Sequence, residues 1–234
     1  MTQKDLAART GFSEKQISQI IKDGKAITHK FAKRLEYALS IDASFWDNLE
    51  SLYRQKMIAY EQENEITDEE KSILKHLKEI IEYYKKRGIL PDTSSKNELV
   101  INLRKIFCIS NLTSIPDLTI CGAFRTAATS SINIYVMYAW LKLCEYETKS
   151  EVCENGLDKE KLRRRLPEIL SLTTADAPKM QERLTEIFHD CGIVFRIVKN
   201  FRGAPVHVYI KQTYDKTILC MTIRNKYADI FWFT

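Results

Sequence analysis

The sequence predicts an α+β fold, predominantly α, with a bundle of short helices at the N-terminus, a longer helical region, and a small antiparallel sheet near the C-terminus. Three observations predict it. Polar capping residues repeatedly precede apolar side chains spaced three and four apart, the period of a helix with one buried face. After Gly192 that period falls to two, as in strands. Gly11, Gly24, Gly88 and Gly192 stand where one apolar stripe stops and the next segment begins.

Thr2 is placed to cap a first short helix that runs to the turn at Gly11. Ser13-Glu14-Lys15-Gln16 is a capping box opening a second helix, whose apolar stripe is Ile17, Ile20 and Ile21 and whose stop is Gly24. A third follows Thr28, with Phe31, Leu35, Ala38 and Leu39 on one face. A fourth follows Ser44, with Phe45, Leu49 and Leu52 on one side and Trp46 and Tyr53 beside them, and continues past Met57. Thr67-Asp68-Glu69-Glu70 caps a further helix whose stripe is Ile73, Leu74, Leu77, Ile80, Ile81 and Tyr84, ending at Gly88 and Pro91. Asp92 to Asn97 reads as a linker.

Beyond it the sequence predicts a helix near Glu98–Ile109, a looser segment around Pro116, and a long helix over Ala123–Thr148. Further helices start near Asp158 and Asp176, the first broken by Pro167, whose ring does not fit a helix interior without a kink. Three strands follow, Ile193–Lys199, Val206–Gln212 and Thr217–Arg224, joined by turns at Arg202-Gly203 and Tyr214-Asp215-Lys216. The expected domains are therefore 1–60, a connecting helix over 61–91, and 92–234.

Composition narrows the class. Hydrophobic residues make up 44% and charged residues 29% of 234 residues, the balance of an ordinary globular chain. The longest apolar run, Ile132–Leu141, is too short to span a bilayer, and no secretory leader opens the chain. The six cysteines are scattered without a C-x-x-C pair, which argues against a zinc framework or a disulfide scaffold and for reduced thiols in a cytoplasmic protein. Charge is uneven. Residues 1–40 carry eight basic against four acidic side chains, whereas residues 41–70 carry Arg54 and Lys56 against nine acids. A basic head suits a polyanionic partner.

The two short helices joined at Gly11 have the form of a helix-turn-helix, in which the second helix enters the DNA major groove. Leu6, Ala7, Ile17 and Ile20 are spaced to lock the pair together, leaving Glu14, Lys15, Ser18, Gln19 and Lys22 outward. Gln19 can bond both edges of adenine, Lys15 can donate to guanine, and Glu14 can accept from cytosine. Gln3, Lys22 and Lys25 suit phosphate, while Ser13 and Gln16 close the capping box at the contact end. The candidate DNA-contacting set is thus Gln3, Ser13, Glu14, Lys15, Gln16, Ser18, Gln19, Lys22 and Lys25.

Thr2-Gln3-Lys4-Asp5-Leu6-Ala7, Gly11, Ser13, Ile17-Ser18-Gln19-Ile20-Ile21 and Gly24-Lys25 resemble the DNA-binding domain of Xre/Cro-type regulators. Ala32-Lys33-Arg34-Leu35 and Phe45-Trp46-Asp47-Asn48-Leu49-Glu50 through Tyr53 are similar to HigA-type antitoxins. The resemblance implies a homodimer on a palindromic double-stranded DNA operator, often that of its own gene, and a cognate toxin as a further partner. The family has another helix before the Thr-Gln, where this sequence has Met1, so that first helix is expected to be missing.

Ala139-Trp140-Leu141, Leu166-Pro167-Glu168-Ile169, Gly192-Ile193-Val194-Phe195, Ile223-Arg224-Asn225-Lys226 and the ending Ala228–Thr234 resemble the region preceding the zinc site of ImmA/IrrE-type metallopeptidases. In that family an H-E-x-x-H helix follows, two histidines one turn apart holding zinc around a glutamate base. None of His29, His76, His189 and His207 begins such a motif, and there is no nucleophile elbow, Walker loop or dinucleotide fingerprint. The expectation is a regulator without catalysis, cofactor or metal. The alternative is a fragment of a regulator-fused metallopeptidase lacking its catalytic helix.

Overall fold

A computed structural model describes residues 1–22, 24–118, 123–126, 132–153, 156–172 and 177–222. These form ten α-helices, one 3-10 helix and four strands, so the fold is α+β and predominantly α. The chain divides into two compact units, Met1–Glu65 and Ile66–Thr234.

The first unit holds α1 (Gln3–Thr10), α2 (Glu14–Lys22), α3 (His29–Leu39) and α4 (Ala43–Asn64). Thr2 caps α1 as its sequence position suggests. Its hydroxyl accepts from the Asp5 amide at 3.2 Å while its own amide donates to the Asp5 carboxylate at 3.0 Å. Thr28 caps α3 in the same way, accepting from the Phe31 amide at 3.3 Å. The core is small: Ala7, Ile17, Phe31 and Leu35 are buried, with Leu6, Phe12, Ile20, Ile27, Leu39 and Trp46 packed round them.

Three features of this unit differ from the sequence reading. Asp42, not Ser44, caps α4, its carboxylate accepting from the Ser44 amide at 2.8 Å. The apolar side of α4 is also uncovered. Phe45, Leu49 and Leu52 are 52%, 46% and 56% exposed, and no α4 residue is buried. Likewise Ile21, expected within the α2 stripe, is 59% exposed and stands outside the core cluster.

The second unit begins with α5 (Asp68–His76), α6 (Lys78–Lys86) and α7 (Lys96–Phe107), followed by the 3-10 helix Leu112–Asp117. The expected single helix over 61–91 is thus the end of α4 and two further helices. Thr67 caps α5 as expected, and the α5–α6 break falls at Leu77, whose backbone (φ −94°, ψ 5°) leaves the helical region while its side chain stays buried. The polar stretch 92–97 lies inside this unit: Ser95 caps α7, and Leu90 and Leu99 share one core.

Then come β1 (Ala123–Thr126), α8 (Ile134–Glu147), α9 (Lys159–Ser171), α10 (Ala177–Asp190), β2 (Ile193–Ile197), β3 (Val206–Gln212) and β4 (Thr217–Met221). The long helix expected over Ala123–Thr148 therefore starts eleven residues late. Asn133 stops it from running further back, its side chain accepting from the Tyr135 and Val136 amides as an N-cap, and 123–126 pairs as a strand. Pro167 does not break α9, which runs through it. Just beyond it Ile169 is buried, and Glu168 pairs with Arg165 within the helix at 2.7 Å and with Arg183 on α10 at 2.5 Å.

The sheet has the order β1-β3-β4-β2. It is mixed rather than antiparallel, because β2 pairs with β4 in parallel while β3 pairs antiparallel with both β1 and β4. The β3–β4 hairpin closes at the expected turn, with the Thr213 amide donating to the Lys216 carbonyl at 2.8 Å. Every residue of β4 is buried, Ile218 and Cys220 facing the core that holds Trp140 and Tyr84, Leu219 and Met221 facing the core of α9 and α10. It occupies the interior of the sheet, between β3 and β2. The expected strand residues 223–224 and the aromatic ending Ala228–Thr234 lie outside the described residues.

One buried charge ties the second unit together. Glu70 is fully buried and accepts from Arg104 through both carboxylate oxygens, at 2.8 and 2.5 Å, and from the Leu112 amide at 2.8 Å. It joins α5, α7 and the 3-10 helix, and the fork of the guanidinium satisfies a carboxylate that would otherwise be costly to bury.

Candidate nucleic-acid interface

The turn between α1 and α2 is built for a sharp change of direction. Gly11 adopts φ 69°, the left-handed region, and its amide donates to the Ala7 carbonyl at 2.9 Å. Ser13 then starts α2: its hydroxyl accepts from the Gln16 amide at 3.2 Å, and its amide donates to the Gln16 side-chain oxygen at 3.0 Å. Ile17 is 1% exposed, so it fixes the rotation of α2 about its own axis.

That rotation sorts the candidate residues. At about 100° per residue, Lys15, Ser18, Gln19 and Lys22 fall in one stripe opposite Ile17, with Glu14 and Gln16 on its two flanks. Glu14, Lys15, Gln16 and Lys22 are exposed, and Ser18 and Gln19 half-exposed. Gln3 is exposed at the first position of α1, beside the capping box. Ser13 and Gln16 are committed to each other, so their role at this surface is to set where α2 begins. Lys25 is exposed and its ammonium lies 3.4 Å from the Gln19 side-chain oxygen. The two were assigned separate targets by their residue types; the structure brings them together.

The far end of α2 is held from a distance. Gly24 adopts φ 62°, and the Lys25 amide donates to the Gln19 carbonyl at 3.2 Å. Arg54 on α4 donates to the Gly24 carbonyl at 2.6 Å and to Glu50 at 2.6 Å, while Glu50 accepts from the Ile27 amide at 3.0 Å. Burial opposes the charged form of Glu50, but the Ile27 amide and Arg54 outweigh it and hold its carboxyl below the ordinary value. At the other end, hydrogen bonds from Thr2 hold the Asp5 carboxyl below its ordinary value. Glu50 and Arg54 are positioning residues that the sequence reading missed. Their i, i+4 spacing was visible, but their target lies more than twenty residues away along the chain.

The arrangement presents a short helix with two lysines, an amide and a hydroxyl on one exposed stripe, bounded by a capped start and a clamped end. Such a stripe can donate to base edges and to phosphate oxygens. The histidines are scattered: His29 pairs with Asp47 at 2.9 Å, His76 and His189 are exposed, and His207 is half-buried on β3. Among the described residues no group of three or more His, Cys, Asp or Glu is placed to hold a metal ion, and no helix is long and apolar enough to cross a membrane.

No family model, curated protein or solved structure matches this chain.

Proposed function

We propose that the protein is a sequence-specific double-stranded-DNA-binding transcriptional regulator, acting as a dimer and of the antitoxin-like, autorepressing kind. The observation that carries this reading is the stripe of Lys15, Ser18, Gln19 and Lys22 on a helix whose opposite side is sealed by Ile17. A reading helix needs both properties: side chains that reach base edges and a rigid seat that fixes their register. Base contacts come from Lys15 and Gln19, phosphate contacts from Lys22, Lys25 and the N-terminus of α1 at Gln3.

The exposed apolar row of α4 supports the dimer. Phe45, Leu49 and Leu52 are each about half exposed along α4. A second copy of the chain is the occupant this reading assigns to that surface. A toxin would be a separate partner, and a reducing cytoplasm is the setting this reading assigns, from cysteines scattered without a C-x-x-C pair.

The test is a gel shift with the chain's own promoter at stated salt. A shift that weakens steeply as salt rises is the expected result, and no shift at low salt would sink the reading. The reading is of a binding protein rather than an enzyme; stoichiometric zinc together with zinc-dependent proteolysis by the purified protein would contradict that part.

A further inference from the structure

A cavity of about 570 Å³ in the second unit lies where three separate elements meet. His76 comes from the end of α5, Asn133, Tyr135 and Val136 from the start of α8, and Arg202 and Gly203 from the turn between β2 and β3. The turn is pressed onto the helix. Gly203 adopts φ 97°, and a Cβ there would stand 3.1 Å from the Asn133 Cβ. Its carbonyl accepts from the Asn133 amide at 2.8 Å. The His76 ring stacks on Tyr135, with centroids 5.7 Å apart and planes 21° from parallel.

The hydrogen bonds decide which atoms are left for a ligand. Asn133 Oδ1 accepts from the Tyr135 and Val136 backbone amides at 3.1 and 3.3 Å, so the side-chain nitrogen of Asn133 is the atom turned to His76. That nitrogen lies 3.0 Å from His76 Nδ1. Since it can only donate, Nδ1 is the bare acceptor and Nε2 carries the ring proton. The acceptors of this pair are therefore engaged, and so are the α8 amides that Asn133 caps. What remains is donors: the Nε2–H of His76 and the guanidinium of Arg202, which is exposed and makes no ion pair among the described residues. No carboxylate stands among the described residues that line the cavity.

We propose that this cavity binds a small molecule through a carboxylate or phosphate group, held by the fork of Arg202 and the His76 Nε2–H. A guanidinium offers an oxyanion two parallel donors, and the imidazole N–H adds a third from another element. Ile132 lines the same cavity and is 55% exposed, so an uncovered apolar surface for the body of the ligand stands beside the charge. The proposal is independent of DNA binding by α2, because every residue of the site lies in the second unit.

The probes are benzoate and phenyl phosphate, which share a ring and differ in the oxyanion, with benzamide as the uncharged control. The readout is the His76 ring signal of the full chain by NMR, identified among the four histidines by its loss in His76→Gln. Saturable movement of that signal is expected with at least one of the anions, at a Kd on the order of 1 mM, and not with benzamide. Tighter binding of benzoate would name a carboxylate ligand, and tighter binding of phenyl phosphate a phosphate. Arg202→Ala, at an exposed position, should weaken binding at least about tenfold while leaving the thermal melt unchanged. The ring nitrogen shifts of the free protein should show the Nε2–H tautomer of His76. Four results would overturn the proposal: no saturable movement with either anion, equal binding of benzamide, undiminished binding by Arg202→Ala, or the Nδ1–H tautomer.

Discussion

Gln19 and Lys25 lie 3.4 Å apart and are nevertheless expected to fail in different ways when removed. Gln19 carries an amide that can read an adenine edge, so Gln19→Ala should change which operator sequences are preferred, by ~1–3 kcal/mol at the position it reads. Lys25→Ala should weaken all duplexes alike, because a phosphate contact carries no base information. Competition assays on a set of single-base operator variants distinguish the two. A third residue matters for stability rather than recognition. Glu70→Ala strands Arg104 without its bidentate partner and leaves the Leu112 amide unmatched, and should cost ~3–5 kcal/mol in chemical denaturation. The residue types at these three positions were readable from the sequence. Their partners were not, since Glu70 meets Arg104 and Leu112 over thirty residues away, and only the folded chain brings them together.

At the scale of elements, the clamp on the α2–α3 loop makes a pH prediction. The folded-state carboxyl of Glu50 is held below its ordinary value of 4.5, so its contribution is full above that pH and is lost as pH falls through the folded value. Protection of the Ile27 amide, whose N–H binds Glu50 at 3.0 Å, taken relative to its intrinsic exchange rate, should therefore fall on acidification below about 4.5, and Glu50→Gln should remove most of that dependence. The local signals of α1, α2, α3 and α5 lay in contiguous residues: Thr2, Ser13, Thr28 and Thr67 each cap a helix by bonding to the residue three on. Signals that depend on distant neighbours were misread. The segment 123–148 looks uniformly helical because nothing local shows that its first residues pair with β3, and Pro167 looks like a break because the contacts of its neighbour Glu168 with Arg183 are made on another helix. The parallel β2–β4 pair was hidden for the same cause, since no local turn joins the two strands.

For the whole molecule, the apolar residues left uncovered on α4 bear on its assembly. Leu52 is more than half exposed, so Leu52→Asp should leave the monomer folded, shift sedimentation toward the monomer, and lower affinity for a palindromic site at least about tenfold. The same variant should bind an isolated half-site as well as the unsubstituted protein does. The charge distribution over the chain adds a further observation: residues 1–40 are net basic and residues 41–70 net acidic, so the α2 stripe lies in the basic part of the chain. The most direct measurement is the dependence of promoter affinity on salt, read by fluorescence anisotropy for the unsubstituted protein and for Lys22→Ala, a position exposed on the α2 stripe. If α2 lies in the major groove, affinity falls log-linearly with salt and Lys22→Ala lowers the slope by about one phosphate contact. An unchanged slope, or no binding at the lowest salt, would contradict DNA recognition by this helix.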